Sequence, residues 1–314
     1  MTAHSLGLSG ISFSTTAGSK IGPHHVQNGM PNQDAFDFIE GPGLVTLAVA
    51  DGAGSLEHSK DGAEIAVEAA VGMAADLIIQ SSGKVDLVEI LKEAMVEARN
   101  AVKTHPQWRE AGCTLVLAAF TEESFAVGVV GDSFAVLETD DSVLHLVQPP
   151  SVGEFANITK LLTSDNFTFS IASGSTRELH SIALCSDAFE QSTLEKRIPT
   201  AGFWSKVFSM AWTESLKIEE LIDFMDRQGK IEDDATMIVG TVSRDTEETK
   251  LLNSHEPLLF QEFSLKEIES VTSSGSTSEE SNASTSLLGP LIKIDGWKQA
   301  WDSTYGPKGL PTKF

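Results

Sequence analysis

Apolar residues fall in two rhythms along the first 243 positions, and each rhythm predicts its own kind of element. Residues 9–16 alternate in polarity, as a half-buried strand does. A glycine- and histidine-rich loop is expected over 17–29, then a turn at 31–34 leading into a second strand through Ile39. Leu44–Ala50 carries no charge, the pattern of a strand buried on both faces, and it stops abruptly at Asp51-Gly52-Ala53-Gly54. The period then lengthens. Over 59–80, Ala66, Ala70, Met73 and Leu77 share one helical face. A second stripe, Leu87, Ile90, Leu91, Ala94, Met95, Ala98 and Val102, predicts a helix over 86–103, with Asp86 and Glu89 spaced as a cap. Two adjacent helices of this kind suit an antiparallel pair lying over a sheet. The middle is β-rich: 112–120, Ser124–Val130, 134–137 and Val143–Val147 read as a meander, with Gly131-Asp132-Ser133 as a tight turn. Residues 149–177 mix loop with one strand. A buried strand over 181–185 ends in Ser186-Asp187-Ala188, helices are expected over 199–213 and 216–228, and a last strand follows Asp233-Asp234.

Beyond residue 244 the rhythm is lost. Ten of the fifteen residues from 272 to 286 are Ser or Thr, a composition that cannot bury a core. The expected division is a folded domain over 1–243, a disordered linker over 244–286, and a segment over 287–314 whose Trp297, Trp301 and Tyr305 dock back or bind a partner. The formal charge of −23 argues against nucleic acid and against anionic membrane surfaces as partners. Cys113 and Cys185 both lie in apolar strands, which suits small core residues rather than a disulfide framework. No signal-peptide pattern opens the chain and no apolar run is long enough to span a bilayer, so the expectation is a soluble cytoplasmic monomer.

The chemistry lies in where the carboxylates fall. Asp51 and Asp187 sit at strand exits, while Asp233 and Asp34 sit just ahead of strands. If those strands are neighbours, the acids converge at one end of a sheet assembly. Convergent carboxylates repel one another, and divalent cations remove that cost. A carboxylate with a glycine carbonyl beside it is an all-oxygen donor set, which suits Mg²⁺ or Mn²⁺ better than Zn²⁺.

The ordered segments Asn32-Gln33-Asp34-Ala35, Ala50-Asp51-Gly52-Ala53-Gly54, Gly112-Cys113-Thr114, Gly131-Asp132-Ser133, Ser186-Asp187-Ala188 and Asp233-Asp234-Ala235-Thr236 resemble the protein phosphatase 2C family, the metal-dependent serine/threonine phosphatases, in a bacterial branch. The resemblance covers roughly 9–243. It implies an α+β fold, a four-layer αββα sandwich of two antiparallel β-sheets flanked by antiparallel helix pairs. It also implies two Mn²⁺ or Mg²⁺ ions and hydrolysis of phosphoserine and phosphothreonine in proteins by a metal-bridged hydroxide, opposite a serine/threonine kinase in signalling. Carried over by position, Asp51 bridges both ions, the Gly52 carbonyl completes the first, Asp187 and Asp233 hold the second, and Asp34 acts through water. Asp132 matches the position that helps hold a weaker third ion in some relatives. Asp234 stands where the family has asparagine, and a register one residue along would make it the ligand instead.

Several positions depart from the family pattern. Ala188 replaces a glycine, Ala53 replaces the histidine after Asp-Gly, Phe134 replaces an arginine after Gly-Asp-Ser, and no arginine precedes Asp34. Lys20 and His24 are the candidates left to receive the phosphate, and His25 is the candidate acid toward the leaving group. Other phosphate chemistries fail on their own residues. A cysteine phosphatase needs an arginine six positions after its cysteine, where Ala119 and Gln191 stand, and Ser82-Gly83-Lys84-Val85 lacks the hydroxyl of a phosphate-binding loop. The rival from another class is a pseudophosphatase that keeps the fold as a regulatory binding module.

Overall fold

The structure, a computed structural model, describes residues 5–8, 11–81, 85–149, 159–244, 258–265 and 292–293. In chain order the elements are β1 (Ser5–Leu8), β2 (Ile11–Lys20), α1 (Pro23–Asn28), β3 (Ala35–Gly41), β4 (Leu44–Ala50), α2 (Ser59–Gln80) and α3 (Leu87–Thr104). Then come β5 (Leu115–Phe120), β6 (Ser124–Val130), β7 (Phe134–Thr139), β8 (Val143–Val147), β9 (Thr168–Ser175) and β10 (Leu179–Cys185). The remainder are α4 (Glu190–Thr193), β11 (Leu194–Glu195), β12 (Ile198–Pro199), α5 (Ala201–Trp212), α6 (Ile218–Arg227), β13 (Ala235–Arg244), β14 (Leu259–Ser264) and β15 (Ile292–Lys293).

Two sheets face each other. One runs β1-β2-β13-β10-β7-β8-β15 and the other β14-β9-β6-β5-β4-β3. Alternation along the strands sorts the core into three layers. On β4, Val45, Leu47 and Val49 pack between the sheets with Val116, Phe120 and Ile182, while Leu44, Ala48 and Ala50 turn outward to α2 and α3. On the other sheet, Phe134, Val136, Ala183 and Cys185 face α5 and α6 through Trp204, Phe208 and Leu221. A strand buried on both faces must be apolar at every position, which is why β4 and β5 show no polar alternation. This is the α+β sandwich expected, and both cysteines are free and buried. Among the described residues no helix is long and apolar enough to cross a membrane.

The local reasons are visible in the sequence. Asp86 caps α3, accepting from the N–H groups of Val88 (3.1 Å) and Glu89 (3.3 Å). Glu89 does not close the reciprocal half of the cap but turns to Lys92, at 2.6 Å.

Two expectations change. The stretch 17–29 is not a loop: β2 continues to Lys20, and α1 follows, with Pro23 in its first turn and Gly29 in the left-handed conformation closing it. The range expected to be linker also contains ordered structure. Strand β14 pairs antiparallel with β9, with Phe263 and Leu265 buried against the α2–α3 layer and Lys92 lying 3.7 Å above the Phe263 ring centroid. The Ser/Thr-rich stretch of 272–286 and the aromatic residues Trp297, Trp301 and Tyr305 lie outside the described residues.

Candidate functional site

The β2–β13 pairing runs from Lys20 against Ala235 to Ile11 against Arg244, and it sets the loop after β2 beside the turn before β13. Both meet the exits of β4 and β10. Gly22 is pressed so closely on this turn that a Cβ there would sit 2.2 Å from the Asp233 carbonyl carbon.

Asp51 leaves β4 with its backbone clamped. Its carbonyl accepts from Thr114 N–H (2.8 Å), and its own N–H donates to Thr114 Oγ1 (3.0 Å), which in turn meets Ser133 Oγ at 2.7 Å. Gly52 follows with its α-carbon facing backbone: a Cβ would lie 2.6 Å from Gln33 O. Asp187 leaves β10 beside Ser186, whose N–H donates to Thr236 O (3.0 Å) and whose Oγ accepts from Thr236 N–H (2.9 Å). Asp132 sits in the β6–β7 turn, with its carbonyl accepting from Gln148 Nε2 (2.6 Å) and its carboxylate from Thr159 Oγ1.

These placements bring three acids together. One carboxylate oxygen from each of Asp51, Asp132 and Asp187 lies within 4.8 Å of the other two. They line a cleft of about 310 Å³, with Asp233, His25 and the glycine-rich segment after Asp51 on its walls. Asp34 lies behind this cleft, buried, and faces a neighbouring pocket of about 500 Å³. Its Oδ2 has no hydrogen-bond partner.

The charges are crowded. Burial pushes the Asp34 carboxyl up to about 7, with Asp234 and Asp187 adding to the rise against hydrogen bonds from Thr236 and Ser186. Burial, then the charges of Asp34, Asp187 and Asp132, hold Asp51 well above the ordinary carboxylate range. Asp187 is raised to about 6 by burial first and Asp132 next. Among the described residues lining the cleft none is Lys or Arg. A half-buried set of acids with no Lys or Arg on its described lining, and the orphaned oxygen of the buried Asp34 near it, fits hard divalent cations.

His25 is the basic group on the cleft wall. It is buried on α1, its Nδ1–H donates to Asp234 Oδ2 at 2.7 Å, and Nε2 stands 3.7 Å from Asp233 Oδ1. Asp234 also accepts from the N–H groups of Gly22 (2.7 Å) and Gln33 (2.6 Å). Those bonds engage both its oxygens, while the largely exposed Asp233 accepts from Asp234 N–H at Oδ1 (2.9 Å). Lys20 does not join the cleft: its ammonium pairs with Asp223 on α6. His24 is exposed on α1 and is also absent from the cleft wall. Sequence reasoning missed Asp234 as the anchor of His25, and Thr114 as the clamp on Asp51.

A family model described as protein phosphatase 2C matches residues 21–226. Serine/threonine-protein phosphatase 3 of Escherichia coli (strain K12) is 24% identical over 213 residues, 63% of this chain and 83% of that protein. Among solved structures, the serine/threonine phosphatase Stp1 from Staphylococcus aureus aligns with a TM-score of 0.52 at 14% identity, over 77% of this chain and 98% of that one. The Mycobacterium tuberculosis serine/threonine phosphatase PstP/Ppp aligns with a TM-score of 0.50 at 20% identity, over 73% and 98%. At such identities these structures establish a shared fold.

Proposed function

Because that match spans more than half of its length, this chain belongs to the protein phosphatase 2C family, and from that premise we propose that it hydrolyses phosphoserine and phosphothreonine in proteins, using Mn²⁺ or Mg²⁺. The observation that carries the reading is the meeting of Asp51, Asp132 and Asp187 within 4.8 Å in a cleft whose described lining holds no Lys or Arg.

Asp51 would bridge two ions, with the Gly52 carbonyl on the first and Asp187 and Asp233 on the second. Asp34 would act through water from behind, and Asp132 would serve a third, weaker ion. Bound there, the ions supply a nucleophile from water near neutral pH and positive charge for the phosphoryl oxygens. The protein's own part is positioning. The Thr114–Ser133 clamp fixes the Asp51 backbone from which the carboxylate projects. Asp234 holds the His25 ring so that Nε2 faces the cleft, placed to give a proton to the departing seryl or threonyl oxygen. With Lys20 engaged by Asp223, the ions and His25 are left to meet the charge of the phosphate. The substrate is a phosphoprotein set by an opposing kinase, met by a cytoplasmic monomer.

The test is Mn²⁺-dependent phosphate release from an aryl phosphate by the wild type, Asp51→Ala and Asp187→Ala. Loss of release in both variants is expected, and unchanged release in both removes the assignment. No release by the wild type, with no ion taken up in calorimetry, supports a binding module instead. Transfer in one step also requires inversion at phosphorus.

A further inference from the structure

A second group of metal-ligating side chains lies outside the acidic cleft. His58 immediately precedes α2, Asp61 stands in its first turn, and His105 closes α3. Their three ligand atoms lie within 4.8 Å of one another. His58 Nδ1 is 3.2 Å from Asp61 Oδ2, and His105 Nε2 is 3.6 Å from the same oxygen. The two rings stand 5.2 Å apart between centroids, inclined at 45°.

As hydrogen bonds these contacts are poor, one long and one beyond reach. Taken as two edges of a coordination tetrahedron, 3.2 and 3.6 Å fall on either side of the expected length. Metal–ligand bonds of about 2.0–2.1 Å place neighbouring ligands about 3.3 Å apart. All three side chains are partly exposed, which leaves an approach for the ion and room for a water in the fourth position. We propose that His58, Asp61 and His105 form a three-ligand site for a borderline divalent cation of the zinc class, separate in place and chemistry from the all-oxygen cleft. Two imidazoles with one carboxylate favour zinc over magnesium or manganese.

The backbone is already braced for it. His58 N–H donates to Glu110 O (2.8 Å), and His58 O accepts from Gly62 N–H (3.0 Å). The segment from Asp51 to α2 is held to the end of the α3 connection there and at Ala53 N–H to Gly112 O (3.0 Å). An ion would add a third, stronger tie between the same two stretches. Binding through His105 Nε2 moves the ring proton to Nδ1 and gives up only the 3.2 Å contact from Gln107 N–H.

The test uses the full chain stripped of metal and then given excess Mn²⁺ to load the acidic cleft. Zinc titrated by calorimetry should bind at one equivalent in the wild type and in Asp187→Ala, and fail to bind in His105→Gln and His58→Gln. At a hundredfold excess over its dissociation constant, zinc should raise Tm by roughly 5–10 °C, and the histidine variants should lose the shift. Zinc uptake unchanged in the histidine variants, or removed only by Asp187→Ala, overturns the proposal. Cobalt gives a reading on the wild type alone: tetrahedral Co²⁺ absorbs strongly in the visible and octahedral Co²⁺ in an oxygen cage weakly. Weak bands alone mean that the three side chains form plain His–Asp pairs without an ion, and the site does not exist.

Discussion

His25 Nδ1 lies 2.7 Å from Asp234 Oδ2, a contact made across 209 positions of the chain. It gives the short helix α1 a fixed orientation toward the cleft. Replacing His25 with Ala should lower kcat by about 10²–10⁴-fold, the usual worth of a positioned proton donor. Asp234→Asn should keep the fold and lower kcat by a smaller factor with little change in KM, because an amide oxygen that serves His25 and Gln33 N–H turns its NH2 group onto Gly22 N–H. Steady-state kinetics on an aryl phosphate, with circular dichroism to confirm folding, separates these outcomes.

The raised carboxyls make the metal-free chain sensitive to pH in a definite direction. Asp34, raised to about 7, and Asp187, raised to about 6, both hold protons in the folded state that the unfolded state, at 3.8, has released. Stability from this source is complete below about pH 4 and is lost as pH rises through 6 and then 7. Tm in the presence of a chelator should therefore fall between pH 5 and 7.5. With Mn²⁺ the slope should reverse, because the deprotonated acids are the ligands and protons compete for them. A chelated protein whose Tm rises over that range contradicts the burial of these acids.

Glycines at two positions should respond in opposite ways to the same change. At Gly72, within α2, a Cβ meets nothing within 4 Å, so Gly72→Ala should stabilise by about 0.5–1 kcal/mol through helix propensity. At Gly22 the new methyl would lie 2.2 Å from Asp233 backbone, so Gly22→Ala should push α1 off the cleft and lower both Tm and kcat. Thermal melts and assays of the pair check both signs.

Removing β14 should cost stability out of proportion to its length. Truncation after residue 257 takes away Phe263 and Leu265 from the α2–α3 layer, uncovers the edge of β9, and removes the ring over which Lys92 lies. A loss of about 3 kcal/mol or more is expected, as for a buried Phe. Truncation after residue 265 takes only the two-residue edge strand β15 from the described structure and should lower Tm less, measured by the same melts.

Much of this was legible from the residues. The uncharged run of β4 and the acid at its exit located both a central strand and the centre of the cleft. The α3 stripe and its Asp86 cap gave that helix its true start. What stayed hidden was either masked by composition or set by distance. The Pro23 and Gly29 that bracket α1 are a start and a stop for a helix, yet six residues rich in histidine and polar groups carry no apolar period to reveal it. Lys20 looked available for a phosphate because its partner Asp223 lies 203 positions away, a pairing no local pattern encodes. Strand β14 lay in a stretch whose neighbours in sequence carry no core pattern, so its buried Phe263 and the Leu265 just beyond it did not stand out.

The pairing of β2 with β13 also sets a schedule for synthesis. Asp51 and Asp132 emerge from the ribosome long before Asp233, and the wall that carries His25 has no anchor until Asp234 has followed it. A nascent chain stopped at the end of α6 lacks the strand that joins β2 to β10, so its first sheet is still in two pieces. One late strand thus closes the sheet and completes the cleft wall together.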